Sequence, residues 1–240
     1  MLNPDFLSSE KVYRWTERWL PWLLAVTALG LLVGLVWGLL IAPADYKQGE
    51  AYRIIYIHVP AAWMSMFLYM LMAACGLVAL VWRIKLAEII SMECAPVGAT
   101  MTALALLTGM LWGKPMWGAY WVWDARLTSE LILLFLYGGV MAINTAIPDP
   151  RKAARAAAVL AVIGVINIPI IHYSVVWWNT LHQGPTVTRF DTPAAHISIL
   201  LPLLLMAVVF KLACLTAIVA RTRNTIMLRA GRTRWLQRYV

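Results

Sequence analysis

Residues 112–128 read WGKPMWGAYWVWDARLT and lie between two apolar stretches, 91–111 and 128–147. A helix needs about 20 apolar residues to cross the hydrocarbon core of a bilayer, so each stretch is long enough to span it. The segment between them is therefore a connection at the membrane surface. It carries more aromatic side chains than an interfacial belt requires, namely Trp112, Trp117, Tyr120, Trp121 and Trp123. Its glycines allow close backbone approach, and together these features predict a platform for a large, flat, apolar ligand.

The apolar character extends along the whole chain of 240 residues, which is 62% hydrophobic and 13% charged with a mean hydropathy of +0.74. This composition leaves too little polar surface for a soluble domain of that size. We predict an all-α, polytopic membrane protein with six transmembrane helices, forming a single membrane domain over residues 1–240. The predicted spans lie near residues 20–41, 56–82, 91–111, 128–147, 156–176 and 194–220. The N-terminal stretch does not resemble a cleaved signal peptide, so we expect the first span to be retained.

Lysine and arginine divide unevenly between the two sides that six spans define. Fourteen fall on the side of the termini: Lys11, Arg14, Arg18, Arg83, Lys85, Arg151, Lys152, Arg155, Arg221, Arg223, Arg229, Arg232, Arg234 and Arg238. Five fall on the opposite side: Lys47, Arg53, Lys114, Arg126 and Arg189. The positive-inside rule therefore predicts cytoplasmic N- and C-termini and an outward-facing aromatic segment. The net charge of +9 then reflects topology and contact with anionic lipid in preference to nucleic-acid binding.

Two histidines, His58 and His182, are predicted to reach the outward side from separate loops, 42–57 and 177–193. Proline is tolerated in the first turn of a helix, so Pro60 is expected to open the second span and to place His58 at the membrane boundary. Together with the aromatic loop 112–128, the two imidazoles can approach one flat ligand from its two faces.

The other two histidines leave alternatives open. His172 lies in the middle of the fifth span and His196 lies near the start of the sixth. An ionisable residue inside a membrane is a functional candidate by default, but it can equally form a hydrogen bond between helices.

Haem has the chemistry that this arrangement suits. Neutral imidazole binds iron, and haem iron takes up to two axial ligands from protein. The porphyrin plane can stack on tryptophan rings, and its anionic propionates favour Arg53, Arg126 or Lys114. A structural zinc site would need a third and a fourth ligand, and the three cysteines form no C-x-x-C pair.

Asp124 directly follows Trp121 and Trp123 and has two interpretations. In one, Asp124 and Arg126 only support the start of the fourth span, with Thr128 as the N-cap residue. In the other, the carboxylate orients a ring N–H or Arg126. We favour the second interpretation because the carboxylate sits within the aromatic segment.

The segment 117–128 resembles the tryptophan-rich "WWD" signature of haem-handling proteins. The chain as a whole is similar to the CcmC family of System I cytochrome c maturation. The likeness covers most of the chain and is carried by residues 42–46, 52–54, 58–62, 112–116, 171–175 and 177–184. One departure is Tyr120, where many members of the family carry tryptophan, although an aromatic ring remains.

The resemblance implies six transmembrane helices in the bacterial inner membrane, cytoplasmic termini, and His58 and His182 as the axial ligands of haem b. It also implies that haem is presented at the periplasmic face to the haem chaperone CcmE, together with the transporter subunits CcmA and CcmB and the small subunit CcmD. The chain contains no Walker A motif, so ATP hydrolysis would belong to another chain. We expect a presentation protein and not an enzyme.

Two other classes compete with this interpretation. A membrane haem b electron carrier would hold its ligands on helices at mid-membrane depth, where only His172 lies. A haem or solute permease would need polar residues along a path through several spans, and the sequence offers chiefly His172, Asn167, Asn144 and Lys211.

Overall fold

The computed structural model describes residues 9–178, 180–182, 196–230 and 235, and within them it contains helices and short connections but no β-strand. The described part of the chain contains seven α-helices: α1 (Ser9–Val36), α2 (Ile55–Trp82), α3 (Lys85–Trp117), α4 (Ala125–Ala146), α5 (Pro150–Gly164), α6 (Asn167–Trp177) and α7 (Ile197–Ala230). A π-helical turn, Trp37–Ile41, extends α1, and a 3₁₀ turn, Glu50–Ile54, precedes α2.

These elements form six helical segments that are long and apolar enough to cross a membrane: Ser9–Ile41, Glu50–Trp82, Lys85–Trp117, Ala125–Ala146, Pro150–Trp177 and Ile197–Ala230. The prediction of six spans is confirmed, and the chain is a multi-pass membrane protein.

The fifth span is broken into α5 and α6 at residues 165–166. Pro169 lies in the first turn of α6, where its ring would clash with the carbonyl of Val165 in a continuous helix. The side-chain amide of Asn167 donates to the carbonyl of Ser129 on α4 at 2.9 Å and anchors the break. By contrast, Pro96 and Pro202 lie within α3 and α7, which continue through them.

The helices run past the predicted apolar stretches at several ends. α1 begins at Ser9 rather than near residue 20, and α7 reaches Ala230 rather than residue 220. Hydropathy indicates only the part of a helix that crosses the hydrocarbon. Beyond that part, a helix can continue through polar turns that side-chain contacts stabilise. Here Arg221 pairs with Glu93 at 2.8 Å and Arg229 pairs with Glu88 at 2.8 Å.

The predicted outward loops are correspondingly shorter in the structure. Within 42–57, residues 50–57 are helical, and within 112–128 only residues 118–124 lie outside α3 and α4. Of the loop 177–193, the structure describes 177–178 and 180–182. Asn179, residues 183–193, Arg189 and the tail arginines Arg232, Arg234 and Arg238 lie outside the described residues.

α2 is the central helix of the bundle and packs against α3, α5 and α7, while α1 packs mainly on α7. Tyr69 and Met72 of α2 are fully buried, as are Leu133 and Tyr137 of α4. The hydroxyl of Tyr137 donates to the carbonyl of Ser65 at 2.7 Å, so a buried phenol joins α4 to α2 with its polar atom satisfied.

The two ends of the bundle differ in chemistry. α2 and α3 run antiparallel, so His58 and Trp112 share one end, here termed the aromatic end, while Arg83 and Lys85 lie at the other, here termed the basic end. The first turns of α1 and the last turns of α7 also lie at the basic end, where Arg223 donates to the hydroxyl of Tyr13 at 3.3 Å.

Candidate functional site

His58 lies in the first turn of α2 and not on a loop. The 3₁₀ turn Glu50–Ile54 leads directly into α2, so the helix begins five residues before Pro60. Pro60 is accommodated within the helix, where it leaves the carbonyl of Tyr56 without its usual N–H partner. The prediction that Pro60 opens this helix is wrong, and the imidazole is consequently carried on a rigid element.

The ring of His58 is oriented by α3. Its Nδ1 lies 3.0 Å from the carbonyl oxygen of Ala105 and 3.0 Å from Oγ1 of Thr108. The Thr108 hydroxyl donates its own proton to the carbonyl of Leu104 at 2.6 Å, so its oxygen is an acceptor for His58. A carbonyl can only accept, which assigns the proton to Nδ1 and leaves the lone pair on Nε2.

Gly109 on α3 leaves room for the imidazole ring of His58. A Cβ atom at Gly109 would lie 3.1 Å from Cε1 of His58, tighter than ordinary contact. Trp112 meets the same imidazole edge-on at a centroid distance of 5.6 Å. The indole N–H of Trp112 donates to Oε1 of Gln48 at 2.9 Å, which ties α3 to the connection that precedes α2.

His182 is oriented by Asp124. Its Nδ1 lies 3.2 Å from Oδ2 of Asp124, and Oδ1 of the same carboxylate accepts from the backbone N–H of Leu127 at 2.7 Å. Asp124 is therefore the N-cap residue of α4 and the orienting acceptor for an imidazole at the same time. Both interpretations of Asp124 contribute, although the ring that it orients belongs to a histidine.

Thr128 does not have the capping role that one of the two interpretations gave it. Its backbone N–H donates to the carbonyl of Asp124 at 3.0 Å, so Thr128 already lies within the first turn of α4. The helix begins three residues earlier because an aspartate in extended conformation, Asp124, precedes Ala125 and caps it.

The environment of His182 favours the neutral imidazole. Burial lowers the pKa of His182 below 6.5, the positive charge of Arg126 lowers it further, and Asp124 opposes the shift. Because the carboxylate accepts from Nδ1, the lone pair lies on Nε2, as it does in His58. A carboxylate or carbonyl acceptor on one ring nitrogen is the usual support for a histidine that binds metal through the other.

The two histidines belong to one cluster. His182 and Arg126 both act electrostatically on His58, which comes from α2. Trp117, in the last turn of α3, contacts the ring of His182 at a centroid distance of 5.3 Å and an angle of 57°. The ends of α2, α3 and α4 and the segment 180–182 therefore meet at one place.

The aromatic segment divides into an inner and an outer part. The indole N–H groups of Trp117 and Trp121 and the hydroxyl of Thr180 are buried and have no hydrogen-bond partner among the described residues. Trp123 and Tyr120 are exposed, and the ammonium of Lys114 lies 5.3 Å from the centre of the Tyr120 ring. Buried donors without acceptors are rare, so a polar partner at this place is expected.

Two of the predicted propionate contacts, Arg53 and Arg126, differ in how their guanidinium groups are engaged. Arg53 is held by Glu50 and donates to the carbonyl of Gly38 at 3.4 Å, so its guanidinium is already engaged. Arg126 is partly buried, and its guanidinium forms no ion pair or hydrogen bond with any residue that the structure describes, although Asp124 and Glu130 act on it electrostatically. Arg126 is therefore the better placed of the two for an anionic ligand.

The remaining histidines lie outside this cluster. His172 is exposed on α6 and meets Tyr173 edge-on at 4.8 Å, and His196 accepts from the backbone N–H of Ser198 at 3.3 Å beside the start of α7. Among the described residues, no group of three or more His, Cys, Asp or Glu side chains could hold a metal ion.

Sequence reasoning missed the residues that support the site. Thr108 lies one helical turn before Trp112, so the spacing places both on one face of α3. Nothing in the sequence pairs that face with His58, because the pairing depends on how α2 and α3 align. Gln48 and Thr180 carry no local signal at all.

The fold and the site define a class: a six-span helical membrane protein with a tryptophan-lined, two-histidine site at one end. The model of the Heme exporter protein C (CcmC) family matches residues 3–237. The chain therefore belongs to the haem exporter protein C family.

Similar proteins come from bacteria and from a plant. The chain is 51% identical to Heme exporter protein C of Bradyrhizobium diazoefficiens over 229 residues, covering 95% of this chain and 87% of the relative. It is 49% identical to Heme exporter protein C of Escherichia coli K12 over 230 residues, covering 96% and 93%. It is 44% identical to a putative cytochrome c biosynthesis ccmC-like mitochondrial protein of Marchantia polymorpha over 206 residues, covering 86% and 85%.

Proposed function

We propose that this protein binds haem b as a cargo between His58 and His182 and presents it at the periplasmic face of the bacterial inner membrane to the haem chaperone CcmE. The observation that carries the proposal is that both imidazoles donate through Nδ1 to a fixed acceptor, so that each holds a free Nε2 lone pair within one cluster. Haem iron takes two such ligands.

The surroundings of the histidines fit a porphyrin. Trp117 already contacts the His182 ring, and the unpartnered indole N–H groups of Trp117 and Trp121 are donors for polar groups of a ligand. Trp112 supports His58 from the side. Arg126 is the expected propionate contact, and Arg53 is expected to stabilise the end of α1 instead.

Presentation to a partner requires an accessible edge. Trp123 is 75% exposed and Tyr120 is 53% exposed, and both belong to the short connection that also carries Asp124. We propose that CcmE docks against these rings, because exposed aromatic side chains in a connection at one end of a helical bundle leave a bound ligand within reach. The protein then acts by holding and orienting haem and not as an enzyme.

Membership of the haem exporter protein C family supports a wider assembly. We propose that CcmA, CcmB and CcmD associate with the chain and that any ATP hydrolysis takes place in CcmA. The excess of lysine and arginine at the basic end supports cytoplasmic termini and, with them, an aromatic end that faces the periplasm.

The competing functions find less support in the structure. His172 lies exposed on α6 and faces no second histidine among the described residues, so it does not form the ligand pair of a buried electron carrier. Asn167, one of the few polar residues of the spans, is used to hold α6 against α4.

An absorption spectrum of the purified protein tests the proposal. We expect the spectrum of a low-spin haem with two nitrogen ligands, and a substantial loss of bound haem in His58→Ala and in His182→Ala. His196→Ala is the matched control, because His196 is an exposed histidine outside the cluster. Haem content that is unchanged in both single variants would refute the ligand assignment.

A further inference from the structure

A cavity lies at the basic end of the bundle, between α2, α3, α4 and α5. Its volume is about 290 Å³, close to the lower limit of pockets that hold small ligands. It lies at the opposite end of α2 and α3 from His58 and Trp112, so it is not part of the candidate haem site.

Four cationic side chains line this cavity: Arg83, Lys85, Arg151 and Arg155. None of them forms an ion pair with a described carboxylate. The acidic residue of the lining, Glu88, is paired with Arg229 at 2.8 Å.

Asp149 is within electrostatic reach of Arg151, but its side chain caps α5 by accepting from backbone N–H groups of residues 151 and 152. One nearby carboxylate cannot balance four cations, so the cavity carries a net positive charge.

The lining of the cavity also contains small apolar side chains on α2 and α5. Gly76 and Ala158 approach so closely that a Cβ atom at Gly76 would lie 3.2 Å from that of Ala158. Ala154 and Ala157 extend the same surface on α5, and Leu80 continues it along α2. A lining that combines cationic and small apolar side chains is complementary to an anionic amphiphile and not to a fully hydrated ion.

The position of the cavity indicates that this amphiphile is a membrane lipid. Val81 and Trp82 are 58% and 65% exposed next to Arg83, and an exposed tryptophan at the end of a membrane helix is typical of the headgroup level. We propose that this cavity binds the phosphate headgroup of an anionic phospholipid, with the acyl chains lying along the exposed apolar surface of the neighbouring helices. Basic pockets between transmembrane helices are known to take such headgroups.

Native mass spectrometry of the full chain in detergent tests this proposal with added phosphatidylglycerol or phosphatidylcholine. We expect the first phosphatidylglycerol molecule to bind at least about tenfold more tightly than phosphatidylcholine. In Arg151→Gln/Arg155→Gln we expect the affinity for phosphatidylglycerol to fall roughly thirtyfold, because two cationic contacts are removed.

The control variant is Arg18→Gln/Lys152→Gln. It removes two positive charges from the same end of the protein, one of them from α5, but neither side chain lines the cavity. We expect its affinity to stay within about twofold of the unchanged protein, because charges outside the cavity act only through the surface potential. If both double variants lose affinity equally, the interaction is a general surface effect and the cavity is not a binding site.

Two further comparisons complete the test. Arg83→Gln/Lys85→Gln alters the opposite wall and is expected to weaken binding as much as the α5 variant, so it decides the outcome if the latter does not fold. Equal affinity for the two lipids in the unchanged protein would overturn the proposal. Displacement of phosphatidylglycerol by excess inorganic phosphate would assign the cavity to a free anion and overturn the lipid assignment.

Discussion

Replacing Asp124 with asparagine separates the two roles of this side chain. The carboxylate has two acceptor oxygens, one for the backbone N–H of Leu127 and one for Nδ1 of His182. An amide has only one acceptor oxygen. Asparagine is as good an N-cap residue as aspartate, so we expect the α4 cap to be kept and the hydrogen bond to His182 to be lost.

The magnitude follows from the burial of the pair. The side chains of His182 and Asp124 are 15% and 7% exposed, so water does not readily replace the lost acceptor. Loss of such an orienting partner typically reduces ligand affinity about tenfold to a hundredfold. The melting temperature of the haem-free protein should stay close to that of the unchanged protein. Asp124→Ala should show the same loss of affinity and a further destabilisation of about 1 kcal/mol from the missing cap.

Haem titration followed by absorbance measures the affinity, and thermal unfolding of the haem-free protein measures the cap. Asp149→Asn is the matched control, because Asp149 caps α5 in the same way, with Oδ1 accepting from the N–H of Arg151 at 2.9 Å, and lies at the basic end. Wild-type haem affinity in Asp124→Asn, or an equal loss in Asp149→Asn, would refute the proposed role of the carboxylate.

Three further predictions follow from the described contacts. Haem binding should be constant above pH 6.5 and should fall as the pH drops through the lowered pKa of His182, because only the neutral imidazole ligates iron. An absorbance titration with pH checks this prediction. A loss of haem that begins well above pH 6.5 would contradict it. Arg126→Gln should weaken haem binding by about tenfold, whereas Arg53→Gln should change it little because Arg53 is engaged by Glu50 and Gly38. The same haem affinity in both variants would argue against a propionate contact at Arg126. Gly98→Ala should lower the free energy of unfolding by about 1–3 kcal/mol, because the added methyl group would overlap the ring of Tyr137. Thermal unfolding measures this change. Gly138→Ala is the control, because a Cβ atom at Gly138 would meet nothing within 4 Å.

Much of the fold could be predicted from the sequence because the membrane imposes a simple rule. Any helix that crosses the hydrocarbon must be apolar over a known length, so hydropathy located all six spans. The same rule does not predict where a helix ends beyond the hydrocarbon. The early start of α1 at Ser9 and the late end of α7 at Ala230 lie in polar turns, and these turns contain ion pairs, that of Arg14 with Glu10 on α1 and that of Arg229 on α7 with Glu88.

The candidate site was predictable in its residues and not in its arrangement. Histidine near aromatic residues is a local signal, and it singled out His58 and His182 alongside the segment 112–128. The loop assigned to His58 was a helix, because the 3₁₀ turn Glu50–Ile54 extends α2 towards the water. Similarly, Arg53 and Arg126 look equivalent in sequence, and only the contacts around each guanidinium distinguish them.

By itself, the sequence determined the number of membrane spans and the distribution of basic residues, and it singled out the two imidazoles that we propose as ligands, because these features depend on composition and local order. Only the tertiary structure decided which nitrogen of each ring is free. That choice rests on acceptors far away along the chain, the carbonyl of Ala105 for His58 and the carboxylate of Asp124 for His182. The packing of helices brings such groups together, and no local pattern encodes that packing.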